Sequence, residues 1–386
     1  MRPLHGRGFL DRSSQDIVSP RPAFAKQEQQ FARAFALLRD AILQRTFPGA
    51  ALAVTYQGDL IASQGFGQFT YEGNSPEVHA DTIFDLASLT KVVATTPIAM
   101  LLHERGKLDL DEPLARTMPE FVSMAPKHQQ SQRAAVTIRM LLAHSSGLPA
   151  YERLYEFANT HRDLVHGAMT ARLTAAPGTR AEYSDVGFIL LGEVLASKAG
   201  LPLDLFARQE IFTPLGMSRT RFKPPAEWKS EMPPTENDEK FRGRVIQGEV
   251  NDENAYVMAG VAGHAGVFAS ATDLSRFAEC MLRGGSPILR HETVKLFTQR
   301  ESSPLGTTRA LGWDTRSRPE SSSGRFFSPT AFGHLGFTGT SLWIDPDRKL
   351  SVTLLTNRTW PDRASQDIRQ LRPAVHDAIV EALEGK

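Results

Sequence analysis

The segment 85–91 places a serine and a lysine where their side chains can meet. Ser88 and Lys91 are three residues apart, a spacing that puts two side chains on the same face of a helix. A serine hydroxyl is a weak nucleophile until a base takes its proton, and a lysine can do this once burial or nearby charge lowers its pKa. The pair predicts a hydrolase with Ser88 as nucleophile and Lys91 as base. The same spacing also occurs at exposed helix starts without catalytic meaning, so the prediction depends on the rest of the chain.

A second group, Tyr183-Ser184-Asp185, lies in a loop directly before a predicted helix. A side chain in such a loop can reach into a cleft, and a nearby lysine ammonium would lower the pKa of a tyrosine toward the operating pH. We therefore predict that Tyr183 shares the general-base role with Lys91 and protonates the leaving group. The alternative is a packed aromatic side chain with a hydrogen-bonded hydroxyl and no chemical role.

A third group, residues 334–339, precedes a predicted strand and contains His334, Gly336 and Phe337. Glycine lets the backbone approach a substrate closely. The N–H of Phe337 can hold an oxyanion together with the N–H of Ser88, which lies at a predicted helix start. His334 is expected to bind a substrate carboxylate or carbonyl, although a histidine in a strand is also compatible with a purely structural role.

These three groups require a fold that brings distant segments together. Apolar spacing predicts a helix over 31–43 and a β-hairpin over 49–65. A second hairpin is predicted over 339–355, and a last helix over 368–383 with a kink or restart at Pro373. Strands at both ends of the chain predict one sheet that is built from both ends.

The middle of the chain is predicted to be mainly helical. Thr137 and Ser184 stand directly before apolar helical runs and are expected to cap them. The polar, proline-rich segment 223–253 shows no clear period and is predicted to be a flap over a cleft. The expected organisation is an N-terminal arm (1–25), an α/β lobe (26–110 and 256–386) and a helical lobe (111–255).

In their order and separation, the three groups resemble the three motifs of the penicillin-recognising serine hydrolases, and within them the class C β-lactamase-related branch. Four further segments resemble the same family: 141–148, 211–217, 263–270 and 311–314. The resemblance covers about residues 30–386. It implies an α+β protein of the β-lactamase/transpeptidase-like fold, with an antiparallel sheet flanked by helices, an all-helical lobe, and a catalytic cleft between the two.

Two residues depart from the family pattern. The second motif usually ends in asparagine, and here it ends in Asp185, whose charge is expected to keep Lys91 protonated and to shift base duty toward Tyr183. The third motif usually starts with lysine in true β-lactamases and with tryptophan in family VIII esterases. His334 at that place resembles the D-aminopeptidases, some carboxypeptidases and the muropeptide amidases of this branch. Asp185, His334 and Gly336 are accordingly expected to bind substrate.

Composition excludes several other functions. The chain has 386 residues, 23% of them charged, with 44 Lys and Arg against 43 Asp and Glu, so no clustered basic character indicates nucleic-acid binding. The single cysteine, Cys280, lies in an apolar helical run and is predicted to be a buried thiol. No metal or cofactor motif is present, and no cofactor is expected. No apolar run approaches the ~18 residues of a membrane span. We expect a cytoplasmic protein, or a periplasmic one if a leader precedes this chain.

The resemblance implies an acyl-enzyme on Ser88 and leaves three functions open. The first is a carboxylesterase of broad specificity. The second is an amidase or D-peptidase on peptidoglycan-derived or D-amino-acid peptides, or a weak β-lactamase, because 250–266 resembles enzymes that recycle such fragments. The third is a non-catalytic binding or assembly protein on the same fold. The expected partner is a small ester or amide substrate, the oligomeric state is left open, and His144 and His264 are expected to maintain the fold.

Overall fold

Hairpins from the two ends of the chain pair side by side in one sheet. The computed structural model describes residues 19–317 and 320–385. Within them, seven strands follow the order β1-β3-β2-β12-β11-β10-β9, and all neighbours are antiparallel except β1 and β3. The strands are β1 (Arg21–Pro22), β2 (Gly49–Tyr56), β3 (Asp59–Gly67), β4 (Ile83–Asp85), β5 (Arg221–Phe222), β6 (Glu236–Asp238), β7 (Arg244–Ile246), β8 (Val267–Ser270), β9 (Asp314–Thr315), β10 (Phe332–Leu335), β11 (Ser341–Asp345) and β12 (Leu350–Thr356). The predicted sheet from both chain ends is confirmed by the pairing of β2 with β12.

Helices flank both faces of this sheet and fill the middle of the chain. The α-helices are α1 (Gln27–Gln30), α2 (Ala32–Leu43), α3 (Thr96–Glu104), α4 (Glu120–Ser123), α5 (Lys127–Ala134), α6 (Ile138–Leu142), α7 (His161–Thr170), α8 (Asp185–Ala199), α9 (Leu203–Ala207), α10 (Glu253–Val257), α11 (Ala271–Leu282), α12 (His291–Thr298) and α13 (Ile368–Glu384). Short 3₁₀ segments span Ala87–Leu89, Leu114–Arg116, Leu154–Glu156 and Ala226–Glu231, and π-helical segments span Lys91–Thr95 and Arg208–Phe212. The predicted fold class, an antiparallel sheet flanked by helices, is confirmed.

The alternation of side chains along β2 explains why helices cover both faces. Leu52 and Val54 are buried in one apolar cluster with residues of α2 and α13, while Ala51 and Ala53 are buried in another with residues of α11. Successive side chains of a strand point to opposite faces, so a strand that is apolar throughout needs a cover on each side. Helix α13 runs through Pro373 as one helix, so it does not restart there, and the predicted alternative of a kink stays a prediction.

Two helices in the middle of the chain begin at the predicted capping residues, Thr137 and Ser184. The Thr137 side chain accepts a hydrogen bond from the Met140 N–H at the start of α6. The Ser184 hydroxyl accepts one from the Gly187 N–H at the start of α8, which ends at Gly200 in the left-handed conformation, with φ of 68°. Among the described residues, no single helix is long and apolar enough to cross a membrane, and one bent pair, α8 followed by Leu203–Phe212, passes that test only in combination.

The segment 223–253 differs from the predicted flap. It contains a 3₁₀ turn and the two-stranded sheet of β6 and β7, and it packs on the loop that follows β12. Arg363 donates to Glu236 at 2.8 Å, and the Asn237 N–H donates to the Pro361 carbonyl at 2.8 Å. Within the segment, only residues 251–253 line the cleft.

Most of the predicted N-terminal arm, residues 1–18, lies outside the described residues, and Arg21–Pro22 forms an edge strand. The predicted lobe boundaries stay a prediction.

Candidate active site

Ser88 lies in a tight turn directly after β4. The turn is a 3₁₀ segment, Ala87–Leu89, and the helical backbone then continues as the π segment Lys91–Thr95 before α3 begins. The predicted long α-helix starting at Ser88 was therefore wrong in its first two turns. A 3₁₀ turn eclipses side chains three residues apart, which brings Lys91 back onto Ser88. Ala87 has a positive φ of 46°, a strained conformation that an L-residue keeps only where its surroundings hold it.

The Lys91 ammonium group is completely buried and has three acceptors. Its Nζ lies 3.0 Å from Ser88 Oγ, 2.6 Å from Asp185 Oδ1 and 3.0 Å from the His264 carbonyl oxygen. Burial lowers the pKa of Lys91 below its usual value, and the Asp185 carboxylate opposes this shift only in part. The Asp185 carboxylate favours the protonated amine, as expected, but burial acts more strongly, and a shift of base duty away from Lys91 stays a prediction. A lysine with a lowered pKa can take the proton of Ser88.

Tyr183 contacts the same serine from the other side. Its hydroxyl lies 2.6 Å from Ser88 Oγ and donates to Asp185 Oδ1 at 2.9 Å. Burial, and then the Asp185 charge, raise the pKa of Tyr183 well above its usual value. The predicted lowering of its pKa by a lysine ammonium was wrong, because the adjacent carboxylate and the loss of water stabilise the neutral phenol. Tyr183 is thus suited to donate a proton and not to rest as a phenolate.

His144 supports the loop that carries Tyr183. Its Nδ1 accepts the N–H of Ser184 at 3.0 Å, and its ring packs against Tyr183 with centroids 4.8 Å apart. The Ser184 hydroxyl donates to the Pro149 carbonyl at 2.7 Å while it caps α8. His144 is therefore a fold-maintaining residue, as predicted.

His334 lies on β10 and is buried. Its Nδ1 must donate to the Leu335 carbonyl at 2.7 Å, because a carbonyl oxygen only accepts. Burial, Lys91 and Arg309 lower the pKa of His334 well below its usual value, so the ring is neutral and its Nε2 carries a lone pair. Among the described residues Nε2 has no partner. A neutral acceptor suits a substrate N–H or hydroxyl, so the predicted binding of a carboxylate or carbonyl by His334 does not fit this geometry.

The loop after β10 is fastened onto the nucleophile turn. Thr338 Oγ1 donates to the Asp85 carbonyl at 2.8 Å, and Thr340 Oγ1 donates to the Leu86 carbonyl at 3.0 Å. A Cβ on Gly336 would lie 2.5 Å from the Leu86 carbonyl oxygen, so only glycine permits this approach. The N–H of Phe337 has no hydrogen-bond partner among the described residues. Phe337 and Ser88 line the same cleft, so this N–H is available for the predicted oxyanion site.

The cleft in front of Ser88 has a cavity of about 1350 Å³ and is rich in arginine. The arginines that line it are Arg153, Arg309, Arg325, Arg358, Arg363, Arg369 and Arg372. The sequence analysis did not identify any of these arginines as cleft residues. Four of them fall within 358–372, and this local cluster of basic residues could have indicated them. Asp252 and the contact of His264 with Lys91 were also missed.

Three of these arginines have no carboxylate within ion-pairing distance among the described residues: Arg358, Arg369 and Arg372. Arg358 and Arg372 donate to backbone carbonyls instead. Burial and the neighbouring Arg358 and Arg369 lower the pKa of Arg372 to about 9. This end of the cleft is therefore positively charged.

Cys280 is buried, as predicted, and no cluster of His, Cys, Asp or Glu among the described residues has the arrangement of a metal site.

Known proteins share this sequence and fold. A beta-lactamase family model matches residues 23–376. The chain is 34% identical to an N-acetylmuramyl-L-alanine amidase of Bacillus subtilis (strain 168), with 81% of this chain and 77% of the relative covered. It is 33% identical to an Escherichia coli (strain K12) protein named "Putative D-alanyl-D-alanine carboxypeptidase", with 72% and 69% covered.

Two solved structures show the same fold. EstCE1, a hydrolase with promiscuous acyltransferase activity, has a TM-score of 0.74 at 23% identity and covers 91% of this chain and 100% of its own. An octameric penicillin-binding protein homologue from Pyrococcus abyssi has a TM-score of 0.70 at 20% identity, with 92% and 77% covered. On the family match and the identity to its relatives, the chain belongs to the beta-lactamase family, whose members are serine hydrolases.

Proposed function

We propose that this protein is a serine amidohydrolase that forms an acyl-enzyme on Ser88 and cleaves amide bonds of peptide fragments bearing a carboxylate. The observation that carries the proposal is the double contact of Ser88 Oγ, 3.0 Å from Lys91 Nζ and 2.6 Å from the Tyr183 hydroxyl. A nucleophile between a buried amine and a neutral phenol has both a proton acceptor and a proton donor at hand.

The proposed reaction moves one proton from Ser88 to the leaving nitrogen. Neutral Lys91 takes the hydroxyl proton as Ser88 Oγ attacks the substrate carbonyl. The N–H groups of Ser88 and Phe337 hold the resulting oxyanion. Tyr183 protonates the leaving nitrogen and recovers a proton from Lys91 through Asp185 Oδ1, to which both groups are hydrogen-bonded. Water then attacks the acyl-enzyme with Lys91 as the base, and the returned proton restores the Ser88 hydroxyl.

The charge of the cleft supports a substrate with a carboxylate. Arg369 is exposed on α13 near the buried Arg358 and Arg372, and none of the three forms an ion pair with a carboxylate among the described residues. Arginine recognises carboxylates well because its planar fork can donate two parallel hydrogen bonds. The relatives named as an amidase and as a carboxypeptidase act, by their names, on substrates of this kind. We therefore rank the amide substrate above the carboxylesterase that the sequence first suggested.

The test compares two acids, N-acetylmuramyl-L-alanine and an acyl-D-alanyl-D-alanine, with their carboxamide counterparts and with a short-chain aryl ester. Ser88→Ala should lower turnover of every cleaved substrate by at least ~10³-fold. Arg369→Gln should raise KM about tenfold for the acids, equivalent to ~1.4 kcal/mol, and leave the carboxamides unaffected. Arg162→Gln, an exposed helical arginine outside the cleft, is the matched control.

Each part of the proposal has its own contrary result. Turnover that survives in Ser88→Ala would exclude the acyl-enzyme on that residue. Equal cleavage of acids and carboxamides would exclude carboxylate recognition. Cleavage of the aryl ester alone would return the assignment to a carboxylesterase. The cytoplasmic location stays a prediction.

A further inference from the structure

We propose that Asp252 and His264 are positioning residues that aim the lone pair of Lys91 at Ser88. The inference rests on the proposed function, in which neutral Lys91 is the base. His264 contributes through its backbone carbonyl, which accepts from Lys91 Nζ at 3.0 Å. Asp252 contributes by holding the side chain of the same histidine, with Asp252 Oδ1 2.7 Å from His264 Nε2.

The Asp252 carboxylate is the only described anchor of the His264 ring. His264 is 1% exposed, and its Nδ1 is buried with no hydrogen-bond partner among the described residues. Since the carboxylate only accepts, Nε2 carries the proton and donates it. Asp252 Oδ1 also accepts the Ala255 N–H at 2.7 Å, which fixes the carboxylate at the start of α10. The ring therefore has one orientation, set from a single point.

The backbone beside His264 is clamped as well. The Gly263 carbonyl accepts from Thr95 Oγ1 at 2.6 Å, and Thr95 belongs to the π segment that contains Lys91. A Cβ on Gly263 would lie 2.1 Å from the Phe188 carbonyl oxygen and 2.9 Å from Gly192 on α8. The His264 carbonyl is thus held between the helix that carries Lys91, helix α8, and the Asp252 anchor.

This carbonyl matters because a neutral amine has two N–H bonds and one lone pair. Lys91 Nζ has three neighbours: Ser88 Oγ, Asp185 Oδ1 and the His264 carbonyl oxygen. The carboxylate and the carbonyl can only accept, so in the neutral amine they take the two N–H bonds and leave the lone pair directed at Ser88. Without a fixed carbonyl, the amine could rotate about the Cε–Nζ bond and would often direct an N–H at Ser88 instead of the lone pair. A base that is misaligned in this way lowers kcat more than it changes KM.

Asp252 also places a negative charge near Lys91. Burial opposes ionisation of Asp252, but His264, the Ala255 N–H and Lys91 outweigh it and lower the Asp252 pKa. The other charged or titratable groups facing Lys91 and Asp252 are Asp85, His144, Tyr151, Tyr183, Asp185, Arg242, Glu253, Arg309 and His334. The Asp252 charge raises the pKa of Lys91. Asp252→Asn keeps an oxygen acceptor for His264 and for the helix cap while it removes this charge.

The experiment measures kcat, KM and the pH dependence of kcat/KM for Asp252→Asn with the neutral aryl ester and with N-acetylmuramyl-L-alanine. We expect kcat to fall about tenfold with KM within about twofold. The acidic limb of the profile should move to lower pH, because Lys91 loses a neighbouring anion. Asp273→Asn is the control: Asp273 is also buried and also accepts a backbone N–H, from Arg219 at 2.7 Å, but it lies outside the cleft.

A second variant, His264→Gln, keeps a donor for Asp252 and should lower kcat in the same way. Circular dichroism and urea unfolding establish that each variant is folded. The inference would be overturned if folded Asp252→Asn kept the wild-type kcat and its acidic limb did not move. If its kcat fell only as much as that of Asp273→Asn and the acidic limb did not move, Asp252 and His264 would have a purely structural role. Turnover that survives in Ser88→Ala would instead overturn the proposed function, so the two failures are distinguishable.

Discussion

One oxygen of the Asp185 carboxylate accepts hydrogen bonds from both Lys91 and Tyr183. The carboxylate raises the pKa of both groups. Burial lowers the pKa of Lys91 and has the larger effect there, whereas in Tyr183 burial raises the pKa as well. A single charge therefore stabilises the protonated form of the base and of the acid at once. It sets the pH range in which Lys91 is neutral while Tyr183 is still protonated.

Asp185→Asn should consequently move the whole pH profile of kcat/KM toward lower pH. Removal of the charge lowers the pKa of Lys91, which shifts the acidic limb down, and lowers that of Tyr183, which shifts the alkaline limb down. Asp204→Asn, which removes a carboxylate paired with Lys223 away from the cleft, should leave both limbs in place. A profile that did not move in Asp185→Asn would show that this charge does not control either group.

Residue identity was accessible from sequence at this site, but protonation was not. Ser88, Lys91 and Tyr183 were predicted from residue type and position in the chain, and Ser88 lies within hydrogen-bond reach of both Lys91 and Tyr183. The neutral state of His334 depends on burial and on the charges of Lys91 and Arg309, and Arg309 comes from a distant part of the chain. The raised pKa of Tyr183 depends on burial and on the Asp185 charge. No local pattern encodes how completely the folded chain removes water from a side chain.

Helix caps and strand patterns were also predictable, because their causes are local. The 3₁₀ turn and the π segment around Ser88 were not, since apolar periodicity does not report them. The turn depends on Asp85, which is fully buried, and whose Oδ1 accepts the Ala87 N–H at 2.8 Å while its Oδ2 accepts the Asn251 N–H at 2.6 Å. Two N–H groups held by one carboxylate keep Ala87 in its strained conformation and tie the nucleophile turn to Asn251, the neighbour of Asp252 in the segment 223–253.

Asp85→Asn should change how stability depends on pH. Burial raises the pKa of Asp85 to about 6, so the folded state binds its proton more tightly than the unfolded state does. The Asp85 contribution is therefore full below the unfolded pKa, near ~4, and is lost as pH rises through about 6. The free energy of unfolding of the wild type minus that of the variant should fall by about 2 kcal/mol between pH 4 and pH 7. Urea unfolding at several pH values measures this difference, and a constant difference would contradict the raised pKa.

The whole molecule depends on contacts between the two ends of the chain. Pairing of β2 with β12 was predictable in outline because each strand belongs to a hairpin predicted near one end of the chain. The fate of the segment 223–253 was not, because its polar residues find their partners more than a hundred residues later, as in the bonds of Arg363 to Glu236. A segment with no internal period can still be ordered by contacts that only the assembled fold supplies.

Helix α13 also reaches the active site from the end of the chain, through Arg372. Its Nη2 donates to the carbonyls of Gly336 and Thr340, 2.9 Å away in each case, and so braces the loop that presents the Phe337 N–H. Each carbonyl has a second donor, since the Gly339 N–H bonds to Gly336 and the Gly336 N–H bonds to Thr340. Removal of the guanidinium therefore leaves no unpaired carbonyl. The buried charge itself is unfavourable, as the lowered pKa of Arg372, about 9, indicates.

Arg372→Met should for these reasons separate activity from stability. The free energy of unfolding should stay within about 1 kcal/mol of the wild type or rise, because a buried cation without a carboxylate partner is replaced by an apolar chain of similar length. Turnover of the neutral aryl ester should fall about tenfold, because a looser 336–340 loop presents the Phe337 N–H less well to the oxyanion. Arg33→Met is the control, because it removes a surface ion pair with Glu381 of α13. It should change the free energy of unfolding and the turnover by less than Arg372→Met does. Loss of several kcal/mol of stability in Arg372→Met would mean that the arginine holds α13 in place, and unchanged turnover would mean that the loop needs no brace from the end of the chain.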